Sequence, residues 1–258
     1  MIKRFLFLSG VILIASSSLL AVTVTVDAMD NIFQAGLGAS GTSVGPNLGF
    51  FPTLGVNIVA GAGQTISFDS ITGTVKYGGG ATDPDVGPDG VAFAAPATAI
   101  TSNTGISGIT FNGRAMFLIG VFLDGSAPTP GTQPADLSFF PSGGGYDADN
   151  RINWFDPSTT MAIGQSFYIG DGKTGFGNGS GTTQIWHVPS TATRLFLGFA
   201  DGGSGGPFVG SFGAFDDNSG SLTVDINTSG LAAVPEPGTI LLMGIGLIGV
   251  GLLRKKLA

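Results

Sequence analysis

The chain has 258 residues with 45 Gly, 14 Pro and no Cys, and only 10% of its residues are charged. Its formal net charge is −7, and five of its ten basic residues (Lys3, Arg4, Arg254, Lys255 and Lys256) sit at the termini; the clustered basic surface of a nucleic-acid binder is excluded. The glycines are aperiodic, which excludes a collagen-type chain, and without cysteine an exported fold must rely on its core and on any bound ions rather than on disulfides.

The N-terminus, "MIKRFLFLSGVILIASSSLLA", is basic at Lys3 and Arg4, apolar from Phe5 and small-residued towards Ala21. That is the pattern of a secretory signal peptide over residues 1–21, cleaved after Ala21, with Ala28 as the second choice.

Residues 22–230 read as one all-β domain of about 210 residues, large enough to bury a real core. No amphipathic helix is evident. Short β-branched and aromatic runs alternate with Gly, Pro, Asn and Asp clusters, the pattern of a sandwich or barrel. The expected strands cover residues 22–28, 56–60, 65–77, 115–124, 165–172, 183–189, 193–201 and 221–227. In the last, Leu222, Val224 and Ile226 fall on one face and Thr223 and Asp225 on the other, which marks a sheet with one wet side. The run "MFLIGVFL" is almost continuously apolar and predicts a central strand buried on both faces. The Gly/Pro/Asp-rich stretches 78–112 and 126–165 are expected to be long loops. Within the first, "DPDVGPDG" lacks the terminal Glu and flanking helices of an EF-hand and is not assigned as one.

All acids except Glu236 are aspartates. Aspartate favours turns and is also a hard oxygen ligand for Ca²⁺, and on its own "GAFDDNSGSLTVDIN" is good turn chemistry. Two segments, "LFLGFADGG…GAFDDNSGSLTVDI" and "VNIVAGAGQTISFDSITGTVKYGGG", together resemble the PA-IL-like family of calcium-dependent, galactose-binding bacterial lectins. The resemblance implies a jelly-roll-like β-sandwich with one Ca²⁺ at one end. It assigns Asp201, Asp217 and Asn218 as side-chain ligands and Tyr77 and Ala214 as main-chain carbonyl ligands. Two features depart from the family. The loop over residues 202–213 is longer, and the sugar-pocket stretch His-Pro-Asp-Gln-Gly has as its counterpart Gly87-Pro88-Asp89-Gly90-Val91, without the His or the Gln. A bound sugar would then depend on the ion and on Asp201, Asp217 and Asp89, and galactose specificity is not implied.

The remaining polar residues point to no enzyme. His187 is the only histidine and reads as structural within "QIWHVP"; with no second His and no Cys, neither a zinc site nor a His-dependent triad is expected. Trp154 and Trp186 read as core or interface aromatics. The pairs Asp83/Asp85 and Asp147/Asp149 lie in Gly-rich loops, poor places to hold a glycosidase acid and base at fixed separation.

The C-terminus, "VPEPGTILLMGIGLIGVGLLRKKLA", resembles the PEP-CTERM sorting signal of Gram-negative, exopolysaccharide-producing bacteria. The carrying residues are Pro235, Glu236 and Pro237, the Gly-punctuated apolar run after them, and Arg254, Lys255 and Lys256. Residues 231–237 read as a linker, stiffened where two prolines fix the backbone. Residues 238–258 read as a transmembrane helix with a basic tail kept on the cytoplasmic side. The resemblance implies exosortase as a partner, transient anchoring in the inner membrane, and release to the cell surface or extracellular matrix. The expected function is therefore a secreted calcium-binding sandwich that binds a glycan or extracellular polysaccharide. Its alternative is a matrix protein whose calcium only fixes loops.

Overall fold

A computed structural model of the chain describes residues 21–38, 42–58, 64–78, 80, 82–92, 98–111, 113–139, 161–173, 179, 181–202 and 210–230, all within one compact unit, Leu20–Ala232. Residues 1–20 of the expected signal peptide lie outside the described residues. So do the whole sorting segment with Pro235, Glu236, Pro237, Arg254, Lys255 and Lys256, and also Asp147, Asp149 and Trp154.

The described residues are all-β apart from short 3-10 turns. In chain order the strands are β1 (Val22–Asp27), β2 (Thr53–Asn57), β3 (Thr65–Lys76), β4 (Val91–Ala92), β5 (Thr98–Ile100), β6 (Ile109–Phe111) and β7 (Arg114–Ala115). β8 (Phe117–Leu123), β9 (Leu137–Phe139), β10 (Ser166–Tyr168), β11 (Trp186–His187), β12 (Arg194–Ala200) and β13 (Ser219–Gly230) follow. One four-stranded sheet has the order β1-β13-β3-β11 and a second β10-β8-β12-β2. Both are antiparallel throughout; the parallel pair β6–β9 belongs to a smaller sheet with β5.

The two large sheets share a core. From the first come Val26, Ile66, Phe68, Leu222, Val224 and Ile226, and from the second Leu118, Phe122, Phe167, Leu195, Leu197 and Phe199. Leu222, Val224 and Ile226 are fully buried, as their period-2 spacing requires. Burying each such side chain contributes about 1.5–3 kcal/mol. Trp186 closes one end, edge-on to Phe68 at 5.0 Å between ring centroids.

β8 is buried at every position, and its two faces go to two cores. Leu118 and Phe122 face the first sheet, while Phe117, Ile119, Val121 and Leu123 pack with Ile100, Ile106, Ile109 and Phe111. The stretches expected to be long loops therefore contain β4 to β6 and β9, and β5 and β6 carry the cover for β8. Strands of two or three residues are too short to show a hydrophobic period; they form because the outer face of β8 must be kept from water.

The first strand forms an edge of its sheet. Val22 lies opposite Ile226 and Asp27 opposite Ser221, Val26 and Ala28 are fully buried, and the Ala28 N–H donates to the Gly220 carbonyl at 3.0 Å. Cleavage after Ala28 would remove this whole edge. Mass spectrometry of the exported protein should find Val22 as its first residue, and a chain that starts at Met29 should fail to accumulate as a folded species.

Asp30, in the turn after β1, is 1% exposed. Its Oδ2 accepts the Asp27 N–H at 2.9 Å and the Thr53 hydroxyl. Burial pushes its pKa from 3.8 up to about 7; the two hydrogen bonds oppose the rise and the Asp27 carboxylate adds to it. The folded chain thus keeps a proton that the unfolded chain releases near pH 4, so stability from this group is greatest at acid pH and falls as pH rises to about 7. Urea denaturation of Asp30→Asn should show a flatter pH profile over this window than the parent.

Candidate functional site

Register builds the site. Ser219 pairs with Lys76 at the first rung of the β3–β13 ladder, so Asn218 and the Tyr77–Gly78 turn meet just beyond it. The Gly78 N–H donates to Asn218 Oδ1 at 3.4 Å. β12 ends beside them. Ala200 pairs with Phe117, and the next residue, Asp201, accepts the Asn218 amide on Oδ2 at 2.7 Å. The same amide reaches the Ala28 carbonyl at 3.3 Å and the Met116 sulfur at 3.6 Å. Asn218 is 5% exposed and joins four separate stretches of chain, at Ala28, Gly78, Met116 and Asp201.

Asp217 ends the 3-10 turn Phe215–Asp217, entered through Ala214 in a left-handed conformation (φ 65°, ψ 18°). The turn hangs on the buried Phe215, whose N–H donates to the Asn47 carbonyl at 3.2 Å. With its side-chain amide oriented to donate, Asn47 reaches both carboxylate oxygens of Asp216, at 3.0 and 2.8 Å. The loop thus divides its two acids: Asp216 is held by Asn47, while Asp217 lies close enough to Asp201 for their charges to interact.

Asp201 keeps part of its surface open, yet its carboxyl group is deeply set, and burial raises its pKa from 3.8 to about 6. Hydrogen bonds from Asn218 and the Gly202 N–H oppose that rise, and the Asp217 charge adds to it. Among the described residues neither carboxylate has an ion-pair partner; the ion pair there is Lys76–Asp85, at 3.8 Å. Two acids border one crevice, and among the described residues no basic side chain is paired with either.

The backbone around them is strained. Three non-glycine residues have positive φ among the described residues, Asn47, Met116 and Ala214. Ala214 opens the turn, Asn47 binds it, and Met116 touches Asn218. Each such conformation costs on the order of 1–3 kcal/mol, and in this protein all three gather at one place.

Of the residues expected to form a site, the structure brings together Asp201, Asp217, Asn218 and the Tyr77 turn, with Ala214 at the head of the same loop. Asp89 does not join them. It is 5% exposed, and its Oδ1 accepts the Tyr168 hydroxyl at 2.6 Å and the Asp171 N–H at 3.1 Å. It lies on the β10 side of β8, whereas Asp201 follows β12 on the other side. Asp89 is thus a strut between turns. One acid was missed. Asp83 Oδ2 lies 2.9 Å, and Asp217 Oδ2 4.0 Å, from the point where a Cβ on Gly78 would stand, so Asp83 borders the crevice while accepting the Gly80 N–H at 2.7 Å. Its position six residues after Tyr77, past a Gly-rich turn, was the available signal. Among the described residues no three His, Cys, Asp or Glu side chains are close enough to hold a metal by themselves. An ion here would have to draw on amide and main-chain oxygens as well.

Residues 233–256 match the PEP-CTERM protein-sorting motif. The motif implies export and membrane-associated sorting in Gram-negative bacteria, with exosortase as the processing partner. The match covers the tail alone. No curated protein and no solved structure matches the chain, so the resemblance of the β domain to the PA-IL-like lectins gains no support from these comparisons.

Asn218 is the clasp of the crevice. Asn218→Ala should lower the unfolding free energy in chelator by about 1–3 kcal/mol, because Asp201 Oδ2 loses its buried donor. Asn218→Asp should destabilise more at pH 7 than at pH 4, since two adjacent carboxylates tolerate each other only when they share a proton. Denaturant titration at both pH values measures this.

Proposed function

We propose that the protein is an exosortase-sorted surface or matrix protein whose jelly-roll-like β-sandwich binds one calcium ion between the Tyr77 turn and the Asp201–Asn218 loop, and binds a glycan of the extracellular matrix. The observation that carries the calcium reading is the meeting of Asp201, Asp217 and Asn218 on a strained backbone, with no basic side chain paired to either carboxylate among the described residues. Calcium accepts six to eight oxygens in irregular geometry. The two carboxylates, Asn218 Oδ1 and the main-chain carbonyls of Tyr77 and Ala214 are all oxygen donors, with water to complete the shell. Two carboxylates balance a divalent charge. Magnesium demands a tighter octahedron, and the absence of His and Cys from the set disfavours zinc.

The protein acts as a binding module rather than a catalyst in this reading. Asp85 is paired with Lys76 and Asp83 with the Gly80 N–H, so that pair is not poised as an acid and a base. If the ion serves only to fix loops, it will stabilise the fold with no effect on glycan binding.

The test is calorimetric and thermal titration of the full chain in detergent with calcium, magnesium and chelator. An ion at a hundredfold excess over its Kd adds about 2.7 kcal/mol, which raises Tm by about 5–10 °C for a domain of this size. Calcium should produce this shift, magnesium should not, and Asp217→Ala, at an exposed position that leaves the core intact, should abolish it. A chain that melts at the same temperature with calcium and with chelator does not bind the ion.

A further inference from the structure

We infer that Asn227, on the outer face of the β1-β13-β3 sheet, is an acceptor for N-linked glycosylation. The inference uses the export implied by the sorting motif and depends on neither calcium nor glycan binding.

The acceptor is written in "DINTS", residues 225–229. An Asn-x-Ser or Asn-x-Thr stretch, with x other than proline, is the acceptor pattern of exported chains, and Asn227-Thr228-Ser229 satisfies it. In an extended segment, residues two apart share a face. Positions 225, 227 and 229 therefore present an acid, an amide and a hydroxyl residue together to an enzyme that reads the chain before it joins the sheet, and a basic group of that enzyme can read the acid. The chain's other Asn-x-Ser stretch, Asn178-Gly179-Ser180, has Phe176 where the acid would be.

The fold keeps this residue at the surface. Ile226 and Thr228 are buried, whereas Asn227 between them is half-buried and turns to the outer face, where its Nδ2 donates to Asp69 Oδ2 at 2.9 Å. Asp69 is exposed and also accepts the Ser67 hydroxyl, at 3.2 Å. Glycosylation replaces one hydrogen of an amide nitrogen that carries two, which leaves one for Asp69. The β3–β13 register shifts on both sides of Asn227, between Asp225 and Ile226 and between Asn227 and Gly230. Irregularities of this kind re-aim side chains and interrupt a ladder, so the acceptor lies where the sheet holds its strand least tightly.

The neighbouring surface suits a sugar. Thr25, Thr223 and Thr72 form one row across the three strands, and Thr23, Asp225 and Ser70 the next. Asp225 is half-buried and the other five are exposed; the Thr23 hydroxyl donates to Asp225 Oδ1 at 2.6 Å. Short side chains leave room above the sheet, and their hydroxyls donate and accept, as sugar hydroxyls do. The sugar donor is a lipid-diphosphate-linked oligosaccharide, used by a transferase at the membrane the chain crosses. Asn227 Nδ2 bonds to the anomeric carbon, the bond from that carbon to the diphosphate oxygen breaks, and its electron pair leaves with the diphosphate. One Nδ2 proton is released to solvent.

Peptide mass spectrometry of the protein exported by its own host tests this. Peptides that contain Asn227 should carry an oligosaccharide on that residue, and those that contain Asn178 should not. Asn227→Gln and Ser229→Ala should each abolish the added mass, while Ser229→Thr, which keeps the hydroxyl, should retain it. Asp225→Ala should deplete it and Asp225→Glu should restore it. A purely structural role for these residues would move none of these masses. The inference is overturned if Asn227 carries no sugar, if sugar is found only on Asn178 or on serine and threonine, or if Ser229→Ala or Asp225→Ala leaves the modification unchanged.

Discussion

The pairing of β3 with β13 governs what this chain can do. Both strands are twelve residues long, and their register runs from Ser219 opposite Lys76 to Gly230 opposite Thr65, with irregularities at Asp225/Ile226 and Asn227/Gly230. Side chains alternate between faces with period two, so a slip of one residue would turn Leu222, Val224 and Ile226 to water and bring Thr223 into the core. The burial of those three residues therefore locks the register. The locked register in turn delivers Asn218 to the Tyr77–Gly78 turn at one end. The crevice is a consequence of a ladder whose specificity is hydrophobic.

How much of this could be read from the sequence depended on element length. The long strands announced themselves: β13 by strict alternation, β8 by a run apolar at every position, β3 by a β-branched stretch ending in Tyr-Gly. What escaped was the cover over the outer face of β8. Ile100, Ile106, Ile109 and Phe111 lie in Gly- and Ser-rich chain and look like stray hydrophobics in a loop. Only the continuous burial of β8 explains them, because a strand apolar on both faces demands a second layer. The sequence held that demand in "MFLIGVFL", but local pattern alone could not say which residues would answer it.

The crevice was legible in part for a related reason. Asp201 ends a strongly apolar strand and Asp217-Asn218 immediately precede another, so their neighbourhood follows once the strands are in place. Asp83 sits in a turn with no periodic context, and its approach to Gly78 depends on the bridge from Val75 to Val86. Asp89 misled because its setting, Gly-Pro-Asp-Gly, is as good for bracing a turn as for presenting a carboxylate to a ligand. Its partners, the Tyr168 hydroxyl and the Asp171 N–H, come from β10 and from the turn after it, strand ends whose convergence on residue 89 no local spacing reveals.

Two deeply set carboxyls with raised pKa values, Asp30 and Asp201, make an instructive contrast. Asp30 is sealed, 1% exposed, and held by a hydroxyl and an N–H; with a pKa near neutrality its own proton relieves its charge. Asp201 is deeply set too, but its residue remains open to solvent on one side, a second carboxylate lies near it, and the adjoining backbone is twisted into conformations that alanine and methionine rarely adopt. A proton would relieve Asp201 as well, and far more simply, without the left-handed turn at Ala214 or the bond that holds Asp216 away. That surplus of arrangement is what a larger cation would require: several oxygens on a fixed radius, an open side for entry, and a charge of two to neutralise. In a cysteine-free exported chain, an ion joining β12, β13 and the turn after β3 would do the work that a disulfide does elsewhere.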